Sequence, residues 1–217
     1  MAFLILIIDN YDGCVYSIYQ LVGICLEKRQ KKEKNGTVPK IRIVRNDKIT
    51  AQEAEALHPS HIILSGGAVA PEKAGNDCSL VRELAGRYPI LGICLGYRVI
   101  CSVFGGREVA LAEPMQGKTS EILLENGGRT QSGIFDGLPL SFTGARYQST
   151  SITAESIGAP LHIIARAADG AVMGVEARDS LRGRAADGAP APLVGLQWHP
   201  ESFMSEYGEQ VMENFLR

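Results

Sequence analysis

The first half of the chain contains four short runs of mostly apolar residues, each followed by a polar residue, a glycine or a cysteine. The runs are Phe3–Ile8, Ile41–Val44, His61–Leu64 and Ile90–Ile93. Strands that are buried on both faces consist of nearly continuous apolar residues. Strands with one solvent-exposed face alternate between apolar and polar residues. The pattern therefore predicts four buried strands of a parallel sheet.

Segments with apolar residues at helical spacing lie between and after these runs. The predicted helices are Val15–Leu26, Ala51–Ala56, Leu80–Arg87 and Leu95–Phe104. Alternation of strands and helices is the signature of an α/β fold, and right-handed crossovers place helices on both faces of an open sheet. The first half therefore predicts a doubly wound, mostly parallel sheet.

The second half has short strand-like segments separated by Gly and Asp turns, and it predicts a small antiparallel portion followed by one helix. The segments 27–40 and 180–192 are rich in charged or small residues and predict surface loops. With no repeat and no linker, we expect one domain over residues 1–217. The predicted strands and the last helix are Thr119–Leu124, Leu140–Phe142, Leu161–Ala165, Ala171–Glu176, Leu193–Gln197 and Tyr207–Leu216.

Charge and composition narrow the possible functions. Lys plus Arg is 22 and Asp plus Glu is 24, so the net charge of −2 argues against binding nucleic acid by bulk electrostatics. The first apolar run is too short to span a bilayer and lacks the flanks of a targeting segment, so we expect no membrane association and a cytoplasmic protein. Five cysteines without a CxxC pair predict neither a disulfide framework nor a zinc ribbon. We expect no cofactor and no metal.

The segment Gly92–Gly96 has the pattern G-x-C-x-G, in which a buried strand turns sharply into a helix. Such an elbow exposes a nucleophile, and the glycines leave room for it. Cys94 would lie at a helix N-terminus, which favours the thiolate, and the Leu95 N–H could stabilise an oxyanion. An inert buried cysteine is an equally good interpretation of this motif alone.

A thiolate nucleophile needs a base, and the base needs an orienting group. His199 follows an apolar run, so it lies at a strand end, and Glu201 could hold its imidazole. A Cys94–His199–Glu201 triad is therefore available. The other three histidines are better explained as structural or surface residues.

A glycine-rich turn, Ser65–Pro71, follows the third apolar run. Such a turn can present backbone N–H groups to an anion. An ordinary tight loop is the default interpretation of the turn alone. All three elements fall at strand ends, where open α/β sheets place their ligand sites.

In this order the motifs resemble the class I (triad) glutamine amidotransferases, in particular the glutaminase subunits of anthranilate synthase and aminodeoxychorismate synthase. The resemblance runs nearly end to end and implies a flavodoxin-like open sheet. The matching segments are Ile7–Asp12, Arg45–Asp47, Leu91–Gly96, Arg146-Tyr147 with Ser149, Gln197–Ser202 and Asn214–Leu216.

The resemblance also implies roles. Cys94 would attack the side-chain amide of L-glutamine to give a thioester and ammonia, His199 would act as base and then acid, and Glu201 would orient it. Ammonia would pass to a chorismate-binding synthase subunit that contacts the face around 9–12. The residues implied to bind substrate or oxyanion are Gly67, Ala68, Val69, Leu95, Arg98, Ser149 and Thr150.

The chain departs from the family pattern in the substrate pocket. Tyr97-Arg98 stands where the family has His-Gln, and a guanidinium only donates hydrogen bonds, whereas the amide both donates and accepts. Val69 lies in the altered glycine-rich turn, and a β-branched residue is poor at positive φ. Gln116 and Gln148 stand where the family has histidines.

Three hypotheses remain open on the sequence. The chain is an active amidotransferase subunit with weakened or partner-dependent glutamine binding, a binding or regulatory protein that keeps the fold, or a related cysteine hydrolase of another γ-glutamyl or amide substrate. Retention of all three triad residues favours catalysis.

Overall fold

The computed structural model describes residues 4–33, 39–178, 181, 183–185, 188 and 190–217. Phe3, the first residue of the first predicted strand, and parts of both predicted loops lie outside the described residues. Within them, no helix is both long and apolar enough to cross a bilayer.

The chain alternates strands and helices up to residue 103, and strands dominate after it. Short 3-10 turns occur at Pro71–Lys73, Glu125–Gly128 and Ala154–Ser156. The helices are α1 (Val15–Glu33), α2 (Ala51–Ala56), α3 (Asp77–Leu84), α4 (Leu95–Val103) and α5 (Gly208–Phe215). The strands are β1 (Leu4–Asp9), β2 (Lys40–Arg45), β3 (His61–Leu64), β4 (Ile90–Ile93), β5 (Glu108–Leu124), β6 (Ser141–Ile152), β7 (Leu161–Ala167), β8 (Val172–Ala177), β9 (Gly183–Arg184), β10 (Pro190–Ala191) and β11 (Leu193–Leu196).

One large sheet organises the molecule, with the order β2-β1-β3-β4-β11-β8-β7-β5-β6. Strands β2, β1, β3, β4 and β11 pair in parallel. The remaining strands pair antiparallel, beginning with β8 against β11. The predicted α/β fold with a parallel core and an antiparallel portion is confirmed. Strands β9 and β10 form a separate two-stranded sheet within the segment that the sequence predicts as a loop.

Helices cover the parallel strands on both faces, as the continuous apolar runs predict. Ile5 and Ile7 on β1 pack into the core under α1 and α5, whereas Leu6 and Ile8 pack into the core under α2, α3 and α4. Successive side chains of a strand point to opposite faces, so one apolar run supplies both cores. The polar ends of these strands are left at one edge.

The bounds of helices α1 and α3 differ most from the prediction. Helix α1 continues to Glu33 instead of ending at Leu26, because the charged residues that follow are good helix formers. Arg29 of this extension donates a hydrogen bond to the carbonyl of Leu216 (2.9 Å). Helix α3 runs from Asp77 to Leu84 instead of from Leu80 to Arg87, so Cys78 is helical.

The antiparallel part is built from much longer strands than predicted. Strands β5 and β6 have 17 and 12 residues and pair along most of their length. Most of β5 is exposed or half-buried, and its apolar residues do not alternate regularly with polar ones, so the pattern by which a strand is recognised is missing. The register of the pair shifts between Ala110 and Met115, a stretch that includes Pro114, as expected for a residue that cannot donate to a ladder.

Candidate active site

Cys94 occupies the sharp turn between β4 and α4. Its backbone has φ 53° and ψ −98°, a conformation that L-residues other than glycine rarely adopt. A Cβ on Gly92 would lie 2.4 Å from the carbonyl carbon of Gly96, and a Cβ on Gly96 would lie 2.5 Å from the carbonyl oxygen of Leu64. Both glycines are therefore required by close packing, and the predicted elbow is present.

His199 lies just beyond β11, which pairs in parallel with β4 in the middle of the sheet. The N–H of Cys94 donates to the carbonyl of Leu196 (2.8 Å), and the N–H of His199 donates to the carbonyl of Ala145 (3.0 Å). The sheet thus brings together the carboxyl ends of two neighbouring strands from distant parts of the chain. The Cys94 thiol is one of the groups that raise the pKa of the neighbouring His199.

Glu201 holds the imidazole from the other side. Its Oε1 lies 2.6 Å from Nδ1 of His199, and both side chains are buried. The ring of Tyr147 packs edge-on against the imidazole, with centroids 4.9 Å apart. Burial by itself lowers the pKa of His199, but contacts with Cys14, Cys94 and Glu201 outweigh it and raise the pKa well above its usual range. The structure therefore assembles the three predicted catalytic residues.

The glycine-rich turn lies beside the elbow. A Cβ on Gly67 would lie 2.6 Å from Cδ2 of Leu95, so this turn packs directly against the start of α4. The first N–H groups of a helix have no intrahelical acceptor, which leaves them able to bind an oxyanion. The concern about Val69 is not borne out, because Val69 does not have a positive φ. Its side chain is 40% exposed.

A buried polar network fixes the turn to the neighbouring strands. The N–H of Asn10 donates to Oγ of Ser65 (3.0 Å), and its amide donates to the carbonyl of Ser65 and to Oδ2 of Asp77 (both 2.9 Å). Asn46 donates to Oδ1 of Asn10 (2.8 Å). Burial raises the pKa of Asp77 to about 7. These side chains tie the ends of β1, β2 and β3 to α3.

Arg98 is buried on α4 and reaches the glycine-rich turn. Its Nη1 donates to Oε1 of Glu108 (2.6 Å), and its Nη2 donates to the carbonyl oxygen of Gly67 (2.9 Å). The hydroxyl of Thr150 donates to the same oxygen of Glu108. We call these three side chains, Arg98, Glu108 and Thr150, the Arg98 clasp. The predicted substrate residues Gly67, Leu95, Arg98 and Thr150 are thus brought together.

Other predicted residues lie apart from the clasp. Ser149 is exposed, and its hydroxyl accepts a hydrogen bond from Gln116 (3.1 Å). Ala68 is exposed in the turn. Tyr97 is fully buried and donates to the carbonyl of Val172 (3.3 Å), so this departure from the family pattern belongs to the core and not to the pocket. Gln148 donates to the carbonyl of Thr150 (2.8 Å).

Sequence reasoning missed three residues that contact the site. Cys14 follows the segment that is predicted as a partner face, yet its thiol contacts His199. Asp12 has a buried Oδ2 without a hydrogen-bond partner, and burial raises its pKa. Glu108 pairs with Arg98. A buried arginine needs an anionic partner, so the prediction that Arg98 is in the pocket could have prompted a search for Glu108.

Comparisons with known proteins agree with this geometry. The class-I glutamine amidotransferase family matches residues 6–217. The chain is 37% identical over 212 residues to the "Bifunctional protein TrpGD" of Thermotoga maritima, covering 98% of this chain but 32% of that longer protein. It is 33% identical over 213 residues to "Aminodeoxychorismate/anthranilate synthase component 2" of Bacillus subtilis, covering 98% of this chain and 95% of that one.

A solved structure shows the same fold. It is that of a candidate GMP synthase protein from Thermoplasma acidophilum, with a TM-score of 0.74 at 22% identity, covering 100% of this chain and 93% of that chain. At that identity the structural similarity shows only that the fold is the same. The family match spans nearly the whole sequence and shows the family. The chain is a member of the class-I glutamine amidotransferases.

Proposed function

We propose that this chain hydrolyses L-glutamine and supplies the ammonia to a chorismate-binding synthase subunit. The observation that carries the proposal is that Cys94, at a strained elbow after β4, lies beside the end of β11, which places a buried His199 held by Glu201. The relative from Bacillus subtilis is named as component 2 of two chorismate-using synthases, and it matches this chain over almost its whole length.

The chemistry follows the geometry of the three residues. His199 takes the proton of Cys94, and the thiolate attacks the side-chain amide carbon of glutamine. The N–H groups of Leu95 and of the glycine-rich turn stabilise the oxyanion. The imidazolium, stabilised by Glu201, returns the proton to the leaving nitrogen, and ammonia departs. Water activated by His199 then cleaves the thioester to give glutamate.

Exposed aromatic side chains beside the site support docking of a partner. Tyr11 is 58% exposed and Phe203 is 95% exposed, and they neighbour Asp12 and Glu201 in the chain. Tyr11 is ordered despite its exposure, because its hydroxyl donates to Asp47 (2.9 Å) and Arg45 packs over its ring. Apolar groups held in place at a surface are typical of protein interfaces.

Release of glutamate and ammonia from L-glutamine tests the proposal. The purified chain is assayed alone and with a chorismate-binding subunit, beside Cys94→Ser. We expect the native chain to exceed Cys94→Ser by about 10³-fold or more. Cys101→Ser is the matched control, because Cys101 is a second buried cysteine and lies about two helical turns after Cys94, in the core under α4. It should retain most of the activity.

Equal rates for the native chain and Cys94→Ser in both conditions would overturn the proposal. A covalent mass shift at Cys94 with a glutamine-like electrophile gives an independent measurement of its nucleophilicity.

The Arg98 clasp is the observation that favours the second candidate function, a binding or regulatory protein with the same fold. Arg98 is only 7% exposed and donates a hydrogen bond to the carbonyl oxygen of Gly67. Both residues belong to the set that the resemblance implies to bind substrate. Under this alternative the chain would bind the synthase subunit without hydrolysing glutamine. The same assay distinguishes the two, since a complex that forms without glutamate release supports the second.

A further inference from the structure

The loop between β1 and α1 carries a second carboxylate to the imidazole of His199. A Cβ on Gly66 would lie 2.4 Å from Oδ2 of Asp12 and 3.2 Å from Cε1 of His199, so both atoms lie within 3.2 Å of one point. Glu201 occupies a different side of the same ring, with Oε1 2.6 Å from Nδ1. The proposed chemistry uses Glu201 and leaves Asp12 without a function.

The main chain of this loop directs Asp12 toward the site. Oδ1 of Asp9 accepts hydrogen bonds from the N–H groups of Tyr11 (2.8 Å) and Asp12 (3.3 Å). Tyr11 has a φ of 60°, which a bulky residue adopts only where its surroundings impose it. The side chain of Tyr11 is exposed, whereas Oδ2 of Asp12 is buried. The strained turn therefore accompanies a carboxylate that faces inward.

The carboxylate of Asp12 lacks the partner that a buried oxygen normally has. Its Oδ2 accepts no conventional hydrogen bond from the described residues. Burial raises the pKa of Asp12, whereas the N–H of Cys14 and the imidazole of His199 lower it. Interaction between two titrating groups is mutual, so a charged His199 favours the carboxylate and the carboxylate favours a charged His199.

We propose that Asp12 is a positioning residue of the proposed hydrolysis, whose carboxylate lies along the Cε1 edge of His199 and stabilises the imidazolium. The Cε1–H group lies between the two ring nitrogens and becomes more polarised when the ring is charged, so it donates a weak hydrogen bond to oxygen. Nδ1 is held by Glu201, and Nε2 has no partner among the described residues. The two carboxylates thus hold the ring at Nδ1 and Cε1 and leave Nε2 to take the proton of Cys94.

The charge of Asp12 should therefore set part of the pKa of His199. An opposite charge beside a base stabilises its protonated form, so removal of the Asp12 charge should lower that pKa. Glu201 and the two thiols remain and keep acting on the ring. The other titratable groups that face the Asp12–His199 pair are Asp9, Cys14, Cys94, Tyr147 and Glu201.

Titration of the His199 imidazole by NMR, in the native chain and in Asp12→Asn, tests the proposal. Asparagine keeps the shape and removes the charge, so we expect the pKa of His199 to fall by about one unit, which is tenfold in the protonation equilibrium. The Cε1 proton should also move upfield, because it loses the oxygen to which it donates.

Asp47→Asn is the matched control, because Asp47 is exposed and touches the same loop through the hydroxyl of Tyr11 (2.9 Å). It removes an equal charge and should leave both the titration and the Cε1 signal unchanged. An unchanged pKa and Cε1 signal in Asp12→Asn would overturn the proposal. Equal changes in the two variants would also overturn it, since they would assign the effect to the loop and not to the carboxylate of Asp12.

Steady-state kinetics gives a second measurement, and this part rests on the proposed function. In Asp12→Asn we expect kcat for glutamine hydrolysis to fall by about tenfold with KM unchanged, because Asp12 acts on the base and not on the substrate. A raised KM with kcat unchanged would make Asp12 a substrate-binding residue and overturn the proposal. A chain that hydrolyses no glutamine still shows the imidazole titration, so failure of the proposed function and failure of this inference are distinguishable.

Discussion

The Cys94 side of the candidate site is held by main-chain geometry, whereas the Arg98 side is held mainly by side-chain hydrogen bonds. Cys94 owes its position to a positive φ, two glycines and a hydrogen bond to β11. Arg98 owes its position to Glu108 and to the carbonyl of Gly67. Main-chain geometry tolerates few substitutions, while an ion pair can be exchanged residue by residue. The difference indicates that chemistry is fixed by the fold and that recognition is adjustable.

Removing the charge behind the base should have the largest effect. Glu201→Gln keeps the shape but takes away the carboxylate that stabilises the imidazolium of His199. We expect kcat for glutamine hydrolysis to fall by about 10²- to 10⁴-fold. The pKa of His199 should also fall, because one of the contacts that raise it is lost. Imidazole titration by NMR checks the pKa, and an unchanged titration would show that Glu201 does not act through His199.

Adding a side chain at the elbow should destabilise the main-chain geometry that positions Cys94. Gly96→Ala would place a Cβ 2.5 Å from the carbonyl oxygen of Leu64, and we expect a loss of about 3 kcal/mol in the free energy of unfolding. Gly23→Ala in α1 is the control, since nothing lies within 4 Å of its added Cβ, and it should stabilise by about 0.5–1 kcal/mol. Urea denaturation measures both. Equal stabilities of Gly96→Ala and Gly23→Ala would mean that the elbow can accommodate an added methyl group.

The buried network under the glycine-rich turn should make stability depend on pH. The folded-state pKa of Asp77, about 7, lies above its ordinary 3.8, so its contribution to stability is full below pH 3.8 and is lost as the pH rises through 7. Asp77→Asn removes this titration. Between pH 4 and 7 native stability relative to Asp77→Asn should therefore decrease by roughly 1 kcal/mol per pH unit. Urea denaturation of both proteins at several pH values checks this prediction. A stability difference that does not change with pH would show that burial does not raise the pKa of the Asp77 carboxyl.

Changing the Arg98 clasp should have the smallest effect and should act on binding. If Arg98 fills the glutamine pocket, Arg98→Gln should lower KM for glutamine by about tenfold, equivalent to one mismatched polar contact. Arg107→Gln is the control, because Arg107 is exposed beside Glu108. It should leave KM unchanged. Steady-state kinetics gives the answer, and an unchanged or raised KM in Arg98→Gln counts against blockage.

The parallel half could be predicted closely because its strands are buried on both faces. The bounds of β3 and β4 match the apolar runs, and Cys94 follows the second of them. The triad could be predicted for the same reason, since each member follows the end of a strand. Only the end of strand β5 could be predicted, as Thr119–Leu124, because its long exposed stretch has no regular alternation of apolar and polar residues and is defined by pairing with β6.

Contacts between segments that are distant in the sequence could not be predicted either. The partners of Cys14 and of Arg98 come from the end of β11 and from β5, and spacing along the chain does not indicate such pairs. The sequence also does not show which face a side chain of a long strand points to when the register of the strand shifts. Thr150 therefore joins the Arg98 clasp, while its neighbour Ser149 pairs with Gln116.

The position of β11 has a consequence for how the enzyme comes into being. This strand enters the middle of the sheet, beside β4, about a hundred residues after the nucleophile has been synthesised. A nascent chain that lacks it holds a thiol but no base, and the central gap exposes two unpaired strand edges. His199 therefore reaches Cys94 only when β11 has joined the centre of the sheet, so the proposed chemistry depends on the completed sheet and not on either half of the chain alone.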